Sequence, residues 1–266
     1  MPTVTANGVN IHYEVSGDGD RKVIFLHGLM LSWRIWEQAM KQMPAGVQCY
    51  ALDMRGAGDS EKPAENYGYP TFAQDVSSFM KELNLDKATV VGHSINGGTA
   101  IYLGANYASQ IDKVVLVSTF ARMSAMAGGE GSGMQEMSKM FSTPPSEIDR
   151  QTMESILQFL VADSNSLPTD LVDGLAEDAS KTAMNAIIGT AMSPMATNIE
   201  EELKKVSLPV LVVQGDKDSL STMEEAQFMS QAVSMGKLFV VGDCGHCPMI
   251  EHPADFAAAL SSFVES

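Results

Sequence analysis

The stretch Gly92-His93-Ser94-Ile95-Asn96-Gly97-Gly98 decides the fold that this sequence predicts. It follows the apolar run Ala88-Thr89-Val90-Val91 and precedes the helical pattern Thr99-Ala100-Ile101-Tyr102-Leu103. This order predicts a strand, a sharp turn and a helix, with the serine at the apex of the turn. A serine there exposes its hydroxyl beside the first backbone N–H groups of the helix, which makes it a candidate nucleophile.

Short apolar runs alternate with helical patterns on both sides of this turn. Further strands are predicted at residues 9–15, 22–26, 47–52, 114–117, 209–213 and 237–241. This alternation predicts an α/β fold with a mostly parallel central sheet and helices on both faces. The loops that follow parallel strands meet at the carboxyl edge of the sheet, where ligands bind.

The alternation breaks after residue 120. Residues 121–203 show helical patterns, a glycine-rich stretch from Gly128 to Gly133 that predicts flexibility, and nine methionines. We therefore predict a core formed by residues 1–120 and 204–266, with a helical cap insertion at 121–203. Methionine adapts to irregular surfaces, so these side chains either pack the insertion or cover the site with an apolar surface.

The amino-acid composition limits the kinds of molecule that this protein is expected to bind. The net charge is −16, which opposes binding to nucleic acid or to an anionic membrane surface. No apolar run approaches the roughly 20 residues that span a bilayer. Three cysteines and the lack of a signal-peptide pattern predict a cytoplasmic protein that acts on a small molecule. The oligomeric state stays open.

A serine nucleophile needs a base, and the base needs a group that orients it. Two loops that follow late strands contain candidates for both roles: Gln214-Gly215-Asp216-Lys217-Asp218 and Gly242-Asp243-Cys244-Gly245-His246-Cys247-Pro248. Both loops are predicted at the same sheet edge as Ser94. The residues alone leave Asp216 and Asp218 as alternatives for the orienting acid.

Five motifs in this order resemble the α/β-hydrolase family, in its branch of esterases, haloperoxidases and C–C hydrolases. They are Leu26-His27-Gly28, Asp53-Met54-Arg55-Gly56-Ala57-Gly58-Asp59-Ser60, Gly92-His93-Ser94, Gly215-Asp216-Lys217-Asp218, and Gly245-His246 with Glu251-His252-Pro253. The resemblance covers nearly the whole chain. It implies the α/β-hydrolase fold, with the insertion as a cap over the site.

The resemblance also assigns roles to residues. It implies that Ser94 is the nucleophile, that His246 is the general base and then acid, and that Asp218 rather than Asp216 orients the histidine. The backbone N–H groups of Leu29 and Ile95 would form the oxyanion hole. The other histidines near the site would be structural.

Asn96 departs from the family pattern, because it replaces the last glycine of G-x-S-x-G. We interpret it as a tolerated substitution, for which Gly97 and Gly98 provide room. The alternative is an altered site with reduced turnover.

The pair Cys244 and Cys247 copies a C-x-x-C motif, but a redox function requires a thioredoxin-like unit that this chain does not predict. A structural zinc site needs four ligands, and no second ligand cluster accompanies the pair. We therefore expect no cofactor and no metal.

The combined prediction is a serine hydrolase that cleaves a carboxylic ester or lactone with a mainly apolar body through an acyl-enzyme. Two other enzyme activities are alternatives, hydrolysis of a C–C bond and haloperoxidase-like perhydrolysis. An alternative of another class is a small-ligand receptor that retains the triad.

Overall fold

The alternating apolar runs form one eight-stranded sheet in the computed structural model, which describes residues 2–122 and 143–266. The strands are β1 (Thr3–Ala6), β2 (Val9–Ser16), β3 (Arg21–Leu26), β4 (Val47–Leu52), β5 (Ala88–His93), β6 (Ile111–Val117), β7 (Val210–Gly215) and β8 (Gly236–Val241). Their order across the sheet is β1-β2-β4-β3-β5-β6-β7-β8. The pairs from β4 to β8 are parallel, whereas β2 pairs with β1 and with β4 antiparallel. The predicted mostly parallel sheet is confirmed.

The central strand β3 shows why the apolar runs are continuous. Val23 and Phe25 belong to one hydrophobic core, whereas Ile24 and Leu26 belong to a second core on the opposite face. Successive side chains of a strand point to opposite faces, so a strand covered on both faces needs apolar residues at every position. All four of these side chains are fully buried.

Helices cover both faces of the sheet, as predicted. The α-helices of the described residues are α1 (Glu37–Met40), α2 (Tyr69–Glu82), α3 (Gly97–Asn106), α4 (Arg150–Leu160), α5 (Thr169–Ser180), α6 (Met184–Ala196), α7 (Ile199–Lys205), α8 (Met223–Ala232), α9 (Pro248–Glu251) and α10 (Pro253–Glu265). Short 3₁₀ turns lie at Trp33–Trp36, Ser94–Asn96, Pro145–Glu147 and Ser164–Ser166. Helices α1, α9 and α10 pack on one face, and α2, α3 and α8 pack on the other.

The helices between β6 and β7 lie against loops at the carboxyl edge of the sheet. Asp178 of α5 forms a 2.8 Å ion pair with Arg34, which lies in the segment after β3. Leu160 of α4 accepts a 2.7 Å hydrogen bond from the backbone N–H of His246, after β8. Described residues 143–209 contain these helices and no strand. The boundaries of a cap at 121–203 stay a prediction.

Part of that predicted insertion lies outside the described residues. This part includes the Gly128 to Gly133 stretch and five of the nine methionines, Met123, Met126, Met134, Met137 and Met140. Across residues 2–122 and 143–266, no helix combines the length and the apolar character that crossing a bilayer requires. The cytoplasmic location stays a prediction.

Candidate active site

Three loops at the carboxyl edge bring Ser94, Asp218 and His246 together. They follow β5, β7 and β8, which are parallel and therefore end at the same side of the sheet. The Ser94 Oγ lies 3.0 Å from His246 Nε2. The other ring nitrogen, Nδ1, lies 2.9 Å and 3.0 Å from the two carboxylate oxygens of Asp218. A carboxylate only accepts, so Nδ1 carries the proton and Nε2 is free to accept from the serine.

Ser94 is held in an unusual backbone conformation. Its φ angle is 52°, in the left-handed region that non-glycine residues rarely adopt. A Cβ at Gly92 would lie 2.4 Å from the carbonyl oxygen of Asn96, so this close approach of strand and turn requires glycine. Thr119 Oγ1 donates a 2.5 Å hydrogen bond to the Ser94 carbonyl. Strain of this kind concentrates at functional sites and persists where surrounding contacts impose it.

Asp218 is the acid that reaches the histidine. Its carboxylate is buried and also accepts hydrogen bonds from the backbone N–H groups of Leu220 (2.8 Å) and Ser221 (3.1 Å). Burial raises the pKa of Asp218, but the charge of His246 and these hydrogen bonds outweigh it and lower the pKa below its usual value. Asp216 is exposed and instead accepts from the N–H of Cys244 at 3.2 Å.

Glu251 shapes the loop that holds His246, a role that sequence reasoning missed. Its carboxylate accepts backbone hydrogen bonds from Gly245 at 3.0 Å, from Cys247 at 3.2 Å and from Ala162 at 2.7 Å. The charge-assisted bonds from Gly245 and Cys247 therefore fix the residues on both sides of the histidine, and the bond from Ala162 connects this loop to the segment after α4. The available signal was the motif that contains Glu251, but its partners became apparent only from the folded loop.

The loop after β3 passes directly beside Ser94. A Cβ added to Gly28 would lie 3.2 Å from Ser94 Cβ, so the backbone that leads to Leu29 runs next to the serine. Ile95 follows the serine at the start of the 3₁₀ turn that leads into α3, where the first N–H groups have no partner within the helix. The two predicted oxyanion donors therefore belong to segments that meet at Ser94.

Two buried histidines support these loops. His27 Nδ1 donates to the Gly28 carbonyl at 2.7 Å, and its Nε2 accepts from the Met54 N–H at 3.0 Å. His93 Nε2 donates to the His246 carbonyl at 2.9 Å. Burial lowers the pKa of both histidines, and with the added effect of neighbouring His246 it lowers the pKa of His93 to about 3. These contacts agree with the expected structural role.

The pKa of His93 predicts a loss of stability in acid. In the unfolded chain this histidine gains a proton near pH 6.5, whereas the folded protein gains it only near pH 3. The free energy of unfolding should therefore decrease as the pH falls from about 6.5 toward 3, by up to about 1.4 kcal/mol per pH unit. Urea unfolding of wild type and His93→Asn at several pH values measures this slope.

The slope of the free energy of unfolding against pH can be compared between wild type and His93→Asn. His93→Asn should flatten the pH dependence, while His27, whose shift has the same sign, continues to contribute. Equal slopes for wild type and His93→Asn would contradict the prediction.

Cys244 and Cys247 are buried residues of the loop that contains His246. Burial raises the pKa of both thiols, and the neighbouring Glu251 carboxylate raises it further. The thiolate is the reactive form in thiol–disulfide exchange, so these cysteines are in surroundings that suppress redox chemistry. Their contacts place them in the hydrophobic core.

A cavity of about 470 Å³ opens where the segment after β6 meets α2, α6 and α7. Its described lining is mainly apolar, with polar groups from Arg122, Asn198 and Glu200. The apolar part consists of Tyr69, Phe120, Ala121, Pro194, Met195 and Ile199. Phe120 follows Thr119, whose hydroxyl binds the Ser94 carbonyl, whereas Ser94 and His246 are not among the described lining residues. Its volume is in the range of small-molecule sites.

The sheet order and the converging loops agree with a comparison against known families. A family model described as the alpha/beta hydrolase fold matches residues 22–253. The chain belongs to the alpha/beta hydrolase fold family. The predicted family is thereby confirmed.

Individual members of the family are similar over nearly the whole chain. The AB hydrolase superfamily protein YisY of Bacillus subtilis is 26% identical, and the match covers 98% of both chains. The 3-oxoadipate enol-lactonase 2 of Acinetobacter baylyi is 25% identical over 99% of this chain and 96% of its own. The structure of an esterase from Exiguobacterium antarcticum superposes with a TM-score of 0.85 at 23% identity over 99% of both chains, a likeness that shows the fold alone.

Proposed function

We propose that this protein is a serine hydrolase that cleaves a carboxylic ester or lactone through an acyl-enzyme. One observation carries the proposal: the Ser94 Oγ lies 3.0 Å from His246 Nε2, while Asp218 binds the other ring nitrogen. This is the geometry that a base needs to activate a serine, and it occurs at a strained turn after a strand.

The first half of the reaction forms the acyl-enzyme. Ser94 Oγ attacks the carbonyl carbon and transfers its proton to His246 Nε2. The resulting oxyanion accepts hydrogen bonds from the N–H groups of Leu29 and Ile95, each worth roughly 3 kcal/mol in the transition state. The C–O bond of the substrate then breaks, and His246 returns the proton to the leaving alkoxide. Asp218 stabilises the histidine while it is charged.

The second half releases the product. A water molecule gives its proton to His246 and attacks the acyl carbon, and collapse of the second tetrahedral intermediate returns a proton to the Ser94 oxygen. An ester gives an acid and an alcohol. A lactone gives one hydroxy acid, because its alcohol remains attached to the acyl group.

The mainly apolar cavity supports a substrate with an apolar body. The net charge of −16 disfavours strongly anionic molecules at long range. Contacts of α4 and α5 with the loops after β3 and β8 support the proposal that residues 121–203 form a cap over the site. The enol-lactonase relative is named for the cleavage of a lactone, which is one of the two reactions proposed here.

A hydrolysis screen combined with mass spectrometry tests this function. The substrates are p-nitrophenyl esters of increasing acyl length, lactones, and ring-fission diketones. We expect multiple turnover of esters or lactones and, after a rapid acid quench, an acyl adduct on Ser94. Turnover confined to the diketones would favour the C–C hydrolase alternative. A single turnover that leaves a long-lived adduct would favour a receptor.

A further inference from the structure

Asn96, which replaces the last glycine of the family motif, makes two specific hydrogen bonds with its side chain. It is 2% exposed, and its Nδ2 donates to the backbone carbonyl of His27 at 2.6 Å. Its Oδ1 accepts from the hydroxyl of Thr99, also buried, at 2.9 Å. A carbonyl only accepts, so the amide nitrogen must face His27, and the Thr99 hydroxyl stabilises this orientation.

These bonds join the two segments that meet at the nucleophile. The backbone pairing of β3 with β5 ends at Leu26 and Gly92, and the Asn96 side chain connects the loops that continue beyond it. On one side of the connection is the 3₁₀ turn Ser94–Asn96, and on the other is the loop that leads to Leu29. The His27 imidazole makes its hydrogen bonds with Gly28 of the same loop and with Met54. It therefore does not connect the loop to the turn.

The turn can contain an asparagine at position 96 because the next two residues are glycines, and these provide the small residues that close packing requires. A Cβ at Gly97 would lie 2.2 Å from Thr119 Oγ1, and one at Gly98 would lie 2.4 Å from the Tyr69 ring. Close packing of the helix start therefore depends on positions 97 and 98. Position 96 has space for a side chain, and a glycine there could not bind His27.

We propose that Asn96 is a positioning residue that holds the loop of Leu29 at the correct distance from Ser94 for oxyanion binding. This inference rests on the proposed function, because it assigns Asn96 to the same reaction. A donor must lie within hydrogen-bond distance of the oxyanion in the transition state, and a small displacement sharply reduces its effect. The asparagine thus adds a hydrogen-bonded connection between the turn and the loop, and it does not impair the turn.

Asn96→Asp is the sharpest test, because it preserves shape and the acceptor for Thr99 but replaces the donor to His27 with an oxygen. We expect kcat for a p-nitrophenyl ester to fall roughly ten- to a hundredfold, with KM within about twofold. The inhibition constant of a trifluoromethyl ketone, which forms a tetrahedral adduct, should rise by a similar factor. Asn106→Asp is the matched control, because this exposed amide at the end of α3 also donates to a backbone carbonyl, that of Tyr102, besides Glu202, and it should keep the wild-type kinetics.

Amide hydrogen exchange of the intact protein gives a readout that does not depend on hydrolysis. Exchange at residues 27–30 should accelerate in Asn96→Asp and remain unchanged in Asn106→Asp. If the wild type hydrolyses nothing in the screen, the proposed function fails, while this exchange still decides whether Asn96 positions the loop. Should Asn96→Asp not fold, Asn96→Gly serves in its place, since glycine is the family residue. Unchanged kcat and exchange, or a gain of activity in Asn96→Gly, would overturn the inference.

Discussion

Ser94→Ala should lower kcat/KM for a short p-nitrophenyl ester by at least about a thousandfold. The substitution removes the oxygen that lies 3.0 Å from His246 Nε2, and with it the atom that forms the acyl bond. The hydrolysis that remains would come from the oxyanion donors and from binding of the substrate. The fold should survive, because the change removes a single oxygen. Steady-state kinetics and a thermal unfolding curve measure both outcomes.

Ser118 offers a matched control for this substitution. It follows the neighbouring strand β6, is fully buried, and shares the left-handed conformation with a φ angle of 46°. Its backbone N–H donates to the Val213 carbonyl at 2.9 Å. Ser118→Ala should leave kcat/KM within about twofold of wild type, because its hydroxyl takes no part in the proposed reaction. Undiminished turnover in Ser94→Ala would remove Ser94 from the mechanism.

Asp218→Asn should lower kcat by about a thousand- to ten-thousandfold. The carboxylate binds His246 Nδ1 at 2.9 Å and keeps the proton on that nitrogen, so that Nε2 can accept from Ser94. An amide can turn its NH₂ toward the ring and favour the wrong tautomer, and it lacks the charge that stabilises the imidazolium. KM should change much less than kcat, because the carboxylate acts mainly in the transition state.

Asp216→Asn is the control in the same loop. Asp216 is exposed and accepts a bond from the Cys244 N–H, which an amide oxygen can also accept. We expect kcat within about threefold of wild type. The reverse outcome, a severe loss in Asp216→Asn and a mild one in Asp218→Asn, would exchange the proposed roles of the two acids. Thermal unfolding of both variants separates loss of chemistry from loss of fold.

Much of the fold could be predicted because the signals are local. The run from residue 88 to 91 is apolar at nearly every position, as a strand covered on both faces requires, and Gly92 permits the close turn that follows. The order of the three loops after parallel strands then predicts that Ser94 and His246 meet at one edge. This part of the prediction needed only the period of the apolar residues and the direction of the strands.

The choice between Asp216 and Asp218 could not be made from local sequence patterns. Asp216 and Asp218 lie two residues apart in one turn, and the residues alone left both open. Which carboxylate faces His246 depends on the path of the backbone through residues 215–221, where the N–H groups of Leu220 and Ser221 bind Asp218. Those bonds form only when the turn is closed by its neighbours.

The sequence by itself determined the family, the sheet and the candidate nucleophile and histidine, because these follow from short-range patterns and from the order of motifs. Only the tertiary structure decided what Asn96 and Glu251 bind. Asn96 reaches a carbonyl 69 residues earlier in the chain, and Glu251 reaches an N–H 89 residues earlier. Such contacts depend on how distant loops approach each other, and hydrogen bonds tolerate only a few tenths of an ångström in that approach.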